Sequence, residues 1–312
     1  MISEYNVLIV GLGSIAQKHI AALNNINASF NYFALRSSRE NIDITGVKNL
    51  YSWDEVPSDI SFTIISNPTD QHTVAIEKCI EKNIALFIEK PISHQLQGLE
   101  NIAEKINNRK LKTYVACNLR FLPALIFLKE QLKRKRINEV SVYCGSDLTL
   151  WRAGVDYKDS YSSHEARGGG VHLDLFHELD YVCWFFGMPV SSRGIIRNVS
   201  SLEINAADFA NYLLFYKEFT VSVVLNYYRC DAKRTLDIVF EDVSWTVDLL
   251  KNNIIDSNGM VIFEDNAFYI KDTYQLQMEY FIKSLDDPNR IENDFDSSFE
   301  ILKIVLANEK VT

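Results

Sequence analysis

Cysteine, proline and glycine are scarce, at five, six and twelve of 312 residues. Glycine and proline together fall far below what collagen or a flexible low-complexity chain needs. The five cysteines (Cys79, Cys117, Cys144, Cys183 and Cys230) are odd in number, scattered, and form no CxxC pair. That pattern argues against a disulfide framework or a cysteine zinc site and predicts reduced thiols in the cytoplasm. No apolar run has the length of a membrane-spanning helix, and the longest candidate, residues 181–190, is cut by Gly187 and Pro189. Residues 1–6 lack the basic start and apolar stretch of a secretory signal. Positive charge is also in deficit, with 32 Lys and Arg against 41 Asp and Glu, a formal charge of −9. Nucleic acid and anionic membrane are poor partners for such a chain, because both are bound by neutralising phosphate.

What is present is an ordinary core-forming composition, 47% apolar and 23% charged. At roughly 150 residues per domain the length predicts two domains. Residues 1–120 alternate strand and helix patterns, with strands at 5–10, 30–35, 60–65, 84–88 and 113–117. Helices are expected at 14–24, 70–82 and 94–107. This rhythm predicts an α/β domain with a doubly wound parallel sheet. Residues 121–312 differ. A helix at 122–132, a strand at 139–144 and a long irregular stretch to Arg167 precede an apolar helix at 171–186. Strand pairs follow at 208–216 with 219–228, and at 235–240 with 244–249. They predict a large open, mainly antiparallel sheet, closed by helices at 274–285 and 295–308.

Gly11-Leu12-Gly13-Ser14-Ile15-Ala16 follows the first strand and opens a helix. In that context Gly11 permits the tight turn, Gly13 lets the backbone approach a pyrophosphate, and Ala16 is small enough for helix–strand packing. The helix start offers amides and a positive dipole end to phosphate. A dinucleotide is the expected ligand. The residue after the second strand selects which one, and here Leu35-Arg36-Ser37-Ser38-Arg39 has no acid to hold ribose hydroxyls. Two arginines and two hydroxyls suit a 2′-phosphate, so NADP(H) is the expected cofactor, with NAD(H) possible. His19 reads as a partly buried helix residue.

Further motifs end later strands: Ser66-Asn67-Pro68-Thr69-Asp70-Gln71-His72, Glu89-Lys90-Pro91 and Asn118-Leu119-Arg120-Phe121-Leu122-Pro123. A fourth, Gly168-Gly169-Gly170-Val171-His172-Leu173-Asp174-Leu175-Phe176-His177-Glu178, opens the apolar helix. In this order and spacing the chain resembles the Gfo/Idh/MocA oxidoreductase family over nearly its whole length. The resemblance implies a Rossmann domain, residues 1–120, and an α/β substrate-binding and oligomerisation domain, residues 121–312. It implies hydride transfer between NAD(P) and a carbinol or carbonyl carbon of a sugar, nucleotide sugar or cyclitol, in a homodimer or homotetramer. Cofactor contacts are expected from Gly11, Gly13, Ser14, Ile15, Arg36, Ser37, Arg39, Asn67, Thr69, His72, Glu89, Lys90 and Asn118. Lys90 takes the place of the family lysine beside the nicotinamide, and Asp174 and His177 complete the catalytic set. One departure stands out: the family's usual spacing from that Asp to that His is four residues, whereas here it is three and Glu178 occupies the fourth position.

Lys90 can protonate or deprotonate the substrate oxygen, and its cation can stabilise an alkoxide. His177 is the better proton carrier near neutral pH, while Glu178 could be an ion-pairing residue or fill the histidine's role. Residues 151–164 are rich in aromatic and hydroxyl groups, the composition of a sugar-binding loop. Arg120, Trp151, Arg152, Tyr161 and His177 are the expected substrate contacts, with Tyr157 and Arg234 nearby in the same segments. His172, Asp174 and His177 lack third-ligand spacing, so no metal is expected. The alternative is a non-catalytic NADP(H)-binding sensor or partner protein on the same fold.

Overall fold

The computed structural model describes residues 4–38, 43–287, 289, 291–307 and 309. The chain forms two compact units, Met1–Cys117 with Lys271–Phe299, and Asn118–Ile270 with Glu300–Thr312. The first unit contains β1 (Glu4–Val10), α1 (Ser14–Asn24), β2 (Ser29–Leu35), β3 (Val47–Leu50), β4 (Phe62–Ile65), α2 (His72–Glu81), β5 (Ala85–Ile88), α3 (Leu99–Arg109) and β6 (Thr113–Val115). Its six strands run in the order β3-β2-β1-β4-β5-β6 and every pairing is parallel. Val7, Leu8, Ile9, Phe62, Ile64 and Ile65 are fully buried. Their near-continuous apolar runs are what a sheet covered on both faces requires. Strand order reverses at β1/β4, and the strand ends there are the place where open α/β sheets bind ligands.

The second unit contains α4 (Pro123–Leu132), β7 (Ile137–Gly145), α5 (Val171–Asp174), α6 (Phe176–Phe186), β8 (Ser191–Arg197), β9 (Phe209–Phe215), β10 (Thr220–Asn226), β11 (Lys233–Phe240), β12 (Ser244–Asp248), β13 (Asn253–Asp256) and β14 (Val261–Glu264). Its eight strands run β14-β13-β12-β11-β7-β10-β9-β8, antiparallel except for β7 beside β10. Alternate residues of the central strands (Val140, Val142, Val221, Val223, Leu236 and Ile238) are buried, so one face carries the core. Late in the chain, α7 (Asp272–Leu285) packs on α1 within the first unit, and α8 (Phe295–Val305) follows. Phe281 of α7 meets the rings of Phe62, Phe87 and Tyr114 at centroid separations of 5.2–6.0 Å. Truncating such a buried ring costs about 3–5 kcal/mol.

Four strands, β3, β8, β13 and β14, go beyond the pattern expected from the sequence. All are short or rich in polar residues, and all four lie at or next to a sheet edge. α3 starts at Leu99 rather than residue 94, entered through Gly98 in the left-handed region at φ +81. The expected single helix over 171–186 is two, broken at Leu175 with φ −95 and ψ 35. α8 ends at Val305, and Asn308 lies outside the described residues. Among the described residues no helix is long and apolar enough to cross a membrane.

Candidate active site

In the first unit the glycine turn is shaped from both sides. Gly11 sits at φ +84, and a Cβ there would lie 2.6 Å from the backbone N and Cα of Asn67. Only glycine fits. The Gly11 N–H donates to the Leu35 carbonyl at 3.2 Å, and the Ser66 hydroxyl donates to the Gly11 carbonyl at 2.8 Å. The end of β4 is thereby tied to the turn after β1. Gly13 caps α1 without a side chain, the first turn holds no acid, and a Cβ on Gly13 would meet nothing within 4 Å. The positive end of α1 is therefore open and not neutralised by an acidic residue of its own first turn, which fits a pyrophosphate. Ser14 is exposed and Ile15 half-buried at this opening.

Around it the other expected residues take definite places. Arg36 follows β2, with Nη1 3.2 Å from Asn49 Oδ1 and 3.8 Å from Asp43 Oδ1. Ser37 is exposed, and Arg39 lies outside the described residues. Asn67 donates to the Gln71 carbonyl at 3.2 Å, while its Oδ1 is buried without a hydrogen-bond partner. Thr69 is buried at the start of a single 3-10 turn. His72 is buried with Nδ1 2.9 Å from the Pro91 carbonyl and Nε2 2.9 Å from the Asn67 carbonyl. Burial pushes its pKa down against the pull of both carbonyls. The ring bridges the loops after β4 and β5.

Glu89 and Lys90 leave β5, and both are half-buried. The Glu89 carboxylate accepts from His19 Nε2 at 2.5 Å. His19 itself is fully buried, edge-on to Phe87 and Tyr274. The helix histidine that read as a packing residue is thus the partner of the Glu89 side chain. Its neighbour Lys90 follows in sequence at the strand's C-terminal end, beside the switch point of the sheet.

In the second unit Asn118 is buried, and Arg120 makes a buried two-pronged pair with Asp180, Nε to Oδ2 at 2.9 Å and Nη2 to Oδ1 at 2.7 Å. The other candidates gather around Asp174. Its Oδ1 accepts from the Tyr161 hydroxyl at 2.8 Å and its Oδ2 from the Tyr227 hydroxyl at 2.5 Å. The carboxylate charge, then burial, pushes the Tyr161 pKa up, and burial, then that charge, does the same to Tyr227. Both stay protonated donors at neutral pH. The Arg152 guanidinium lies over the Tyr161 ring, 4.9 Å from its centroid. Trp151 stands edge-on to Tyr227 and donates Nε1–H to Ser146 Oγ at 2.8 Å. Tyr157 is held by the Leu202 carbonyl at 3.0 Å.

A cavity of about 270 Å³ opens here, with Ser146, Trp151, Asp174, His177 and Arg234 in its wall. His177 is half-buried, whereas Glu178 is fully buried and accepts from Arg234 Nε at 2.7 Å. The break at Leu175 separates Asp174, at the end of α5, from His177, in the first turn of α6. They reach one cavity across two helices and not along one helical face. Burial pushes the His172 pKa down to about 4, so it sits neutral behind Asp174. Tyr227 and Ser146, both just past strand ends, were not foreseen; their positions at strand ends were the available signal. Among the described residues no cluster of His, Cys, Asp or Glu could hold a metal.

Residues 5–117 match the family described as "Oxidoreductase family, NAD-binding Rossmann fold". The inositol 2-dehydrogenase of Rhizobium meliloti (strain 1021) is 29% identical over 139 residues, 44% of this chain and 40% of that protein. The match therefore spans well under half of that relative's length. Among solved structures, a levoglucosan dehydrogenase in complex with NADH superposes with a TM-score of 0.85 at 15% identity, covering 98% of this chain and 96% of the other. The UDP-N-acetylglucosamine 3-dehydrogenase of Acidithiobacillus ferrooxidans gives 0.78 at 16% identity, covering 99% and 97%. At these identities the likeness is one of fold, and it takes in both sheets. The likeness to the Gfo/Idh/MocA oxidoreductase family is thus carried in sequence by residues 5–117.

Proposed function

We propose that the protein is an NAD(P)-dependent oxidoreductase acting on a CH–OH group of a sugar, nucleotide sugar or cyclitol-like substrate. One observation carries the reading. Gly11 is pressed onto Asn67 while Gly13 leaves the start of α1 open, so amides that no side chain caps face open space at the switch point of the sheet. The dehydrogenase names of the inositol, levoglucosan and UDP-N-acetylglucosamine relatives support the substrate class. NADP(H) is the favoured cofactor: Arg36 stands at the end of β2, where an acid would select NAD(H).

When bound, the nicotinamide supplies or accepts the hydride at its C4. The chain's own residues manage position and one proton. Gly11, Gly13, Ser14 and Ile15 hold the pyrophosphate, Arg36 and Ser37 the adenosine end, and Asn67, Thr69 and Asn118 line the path. His72 braces the loops carrying Asn67 and Pro91. Glu89, fixed by His19, keeps its carboxylate engaged, and Lys90 donates or removes the proton at the substrate oxygen. His177 binds a substrate hydroxyl or relays the proton, and Asp174, held by two phenols, supplies fixed negative charge on the same cavity wall. Trp151, Arg152 and Tyr161 form the sugar-facing wall, while Arg120 serves through Asp180. The test is nicotinamide absorbance with neutral hexoses, inositols and nucleotide sugars. Turnover with at least one class is expected; none with NADP⁺ or NAD⁺ overturns the reading.

The second sheet's uncovered face also needs a partner. Leu213, Val239 and Ile255 are exposed on it, and strand alternation puts them all opposite the packed side. A second copy of the chain is the proposed cover, in a dimer or tetramer. A monomer mass in light scattering at micromolar concentration contradicts this.

A further inference from the structure

The register of β11 on β7 sorts the cations at the cavity. Arg234 lies opposite Cys144, on the packed face, and Lys233 lies opposite Gly145, on the other. Lys233 accordingly turns its ammonium over the Tyr143 ring, 5.4 Å from the centroid. Both residues line the cavity, Arg234 from the packed face beside Asp174 and Lys233 from its rim. Taken alone, that guanidinium would make the cavity an anion receptor. Glu178 prevents it. The carboxylate lies 2.7 Å from Arg234 Nε and is wholly buried, while the Arg234 side chain is mostly so, which limits screening of the pairing by solvent. Burial opposes the charge on Arg234, and Glu178 outweighs that, holding the guanidinium ionised.

The pair is poorly explained as a stabilising device. Buried ion pairs contribute little net stability because desolvation offsets their attraction. This one also leaves Glu178 Oε2 and Arg234 Nη2 buried without hydrogen-bond partners. Its clear consequence is electrostatic. An anion entering the cavity would meet a guanidinium already neutralised and the Asp174 carboxylate on the same wall, with the Lys233 ammonium, drawn over the Tyr143 ring, as the other cation of the lining. An uncharged polyol would meet hydroxyl, imidazole and indole groups at Ser146, His177 and Trp151. The volume, about 270 Å³, is at the small end of ligand sites and suits a single ring.

We infer that Glu178 is a specificity-determining residue: by neutralising Arg234 it makes the cavity take an uncharged sugar or cyclitol ring and reject rings bearing a carboxylate or phosphate. This rests on the cavity being the substrate site. It gives the departure from the family's histidine spacing a function of its own.

The test is calorimetric binding to the full chain loaded with NADPH, using glucose, myo-inositol, glucuronate and glucose 6-phosphate. The parent should bind a neutral ring at least about tenfold more tightly than either acid, the size of one charge-assisted contact. Glu178→Gln should narrow or invert that ratio by about tenfold or more, for glucuronate if the freed Arg234 reads a carboxylate, and for glucose 6-phosphate if it reads phosphate. The double variant Glu178→Gln/Arg234→Met should restore the neutral preference. Should Glu178→Gln not fold, the parent ratio together with Arg234→Met decides, the latter leaving acids disfavoured. A parent that binds either acid more tightly overturns the inference, as does a Glu178→Gln ratio unchanged in folded protein. Because binding is read without turnover, a gain of acid binding in protein that oxidises no sugar would sustain the inference while removing the oxidoreductase reading.

Discussion

Gly11-Leu12-Gly13 opens α1 and Gly168-Gly169-Gly170 opens α5, yet the space in front of the two helices is used in opposite ways. At the first turn Gly11 absorbs a close approach by Asn67, and Gly13 faces open space. At the second, a Cβ on Gly169 would lie 2.2 Å from the Tyr161 carbonyl, with the Ser162 and His164 carbonyls also within 2.8 Å. There the protein fills the space itself and thereby brings the Tyr161 hydroxyl to Asp174. The first turn leaves room for a ligand. The second shapes a wall by excluding everything but glycine, so similar glycine spacing has two different physical meanings.

Substitution at the two turns should separate these meanings. Gly11→Ala forces an L-residue to positive φ against the Asn67 backbone, and NADPH affinity should fall by on the order of a hundredfold, measured by nicotinamide fluorescence. Gly169→Ala should instead lower stability by about 1–3 kcal/mol, read by urea unfolding, with NADPH affinity in the folded protein kept. Equal losses of affinity would erase the contrast. Arg36→Asp, beside the first turn, should reduce or invert the NADP(H) preference by roughly tenfold or more in calorimetry at fixed salt. Equal affinity of the parent for NADPH and NADH would remove the basis of that expectation.

The smallest effects are those of pH on stability, and they differ between acid and alkali. His72 in the first unit and His172 in the second have pKa values lowered from 6.5 by burial, His172 to about 4. The unfolded chain takes up those protons first, so stability present above pH 6.5 is lost as the pH falls toward 4. The buried phenols of Tyr161, Tyr212 and Tyr227 are raised from 10.0. Their contribution is complete below pH 10 and is lost as the pH rises above it. Urea midpoints should therefore peak between these limits. Tyr227→Phe, which leaves Asp174 Oδ2 without its donor, should cost about 1–3 kcal/mol at neutral pH. A flat profile from pH 4.5 to 10.5 would show that these groups do not govern stability.

The first turn was legible in the sequence because its determinants are local: strand, glycine, glycine, small residue and helix fall within one short stretch. The apolar β1, β4 and β5 declare themselves for the same reason. β3, reading Val-Lys-Asn-Leu, and β14, reading Val-Ile-Phe-Glu, do not, since a short edge strand is fixed by its neighbour's register and not by its own composition. The break at Leu175 was hidden because residues 171–186 favour helix throughout. It coincides with the point where Asp174 is tied to Tyr161 and Tyr227, 13 and 53 residues away. The Glu178–Arg234 pairing, 56 residues apart, was equally beyond local pattern, whereas the possibility that Glu178 forms an ion pair was not.

The most direct test of the oxidoreductase account is single-turnover hydride transfer in Lys90→Met beside the parent and His177→Asn, with the best substrate of the sugar and cyclitol panel. Met keeps the unbranched stem and removes both the proton and the charge. The rate should fall by at least about a hundredfold in Lys90→Met, with NADPH affinity changed far less. Near-parental transfer in Lys90→Met together with an inactive His177→Asn would contradict the assignment and make the histidine the acid–base group.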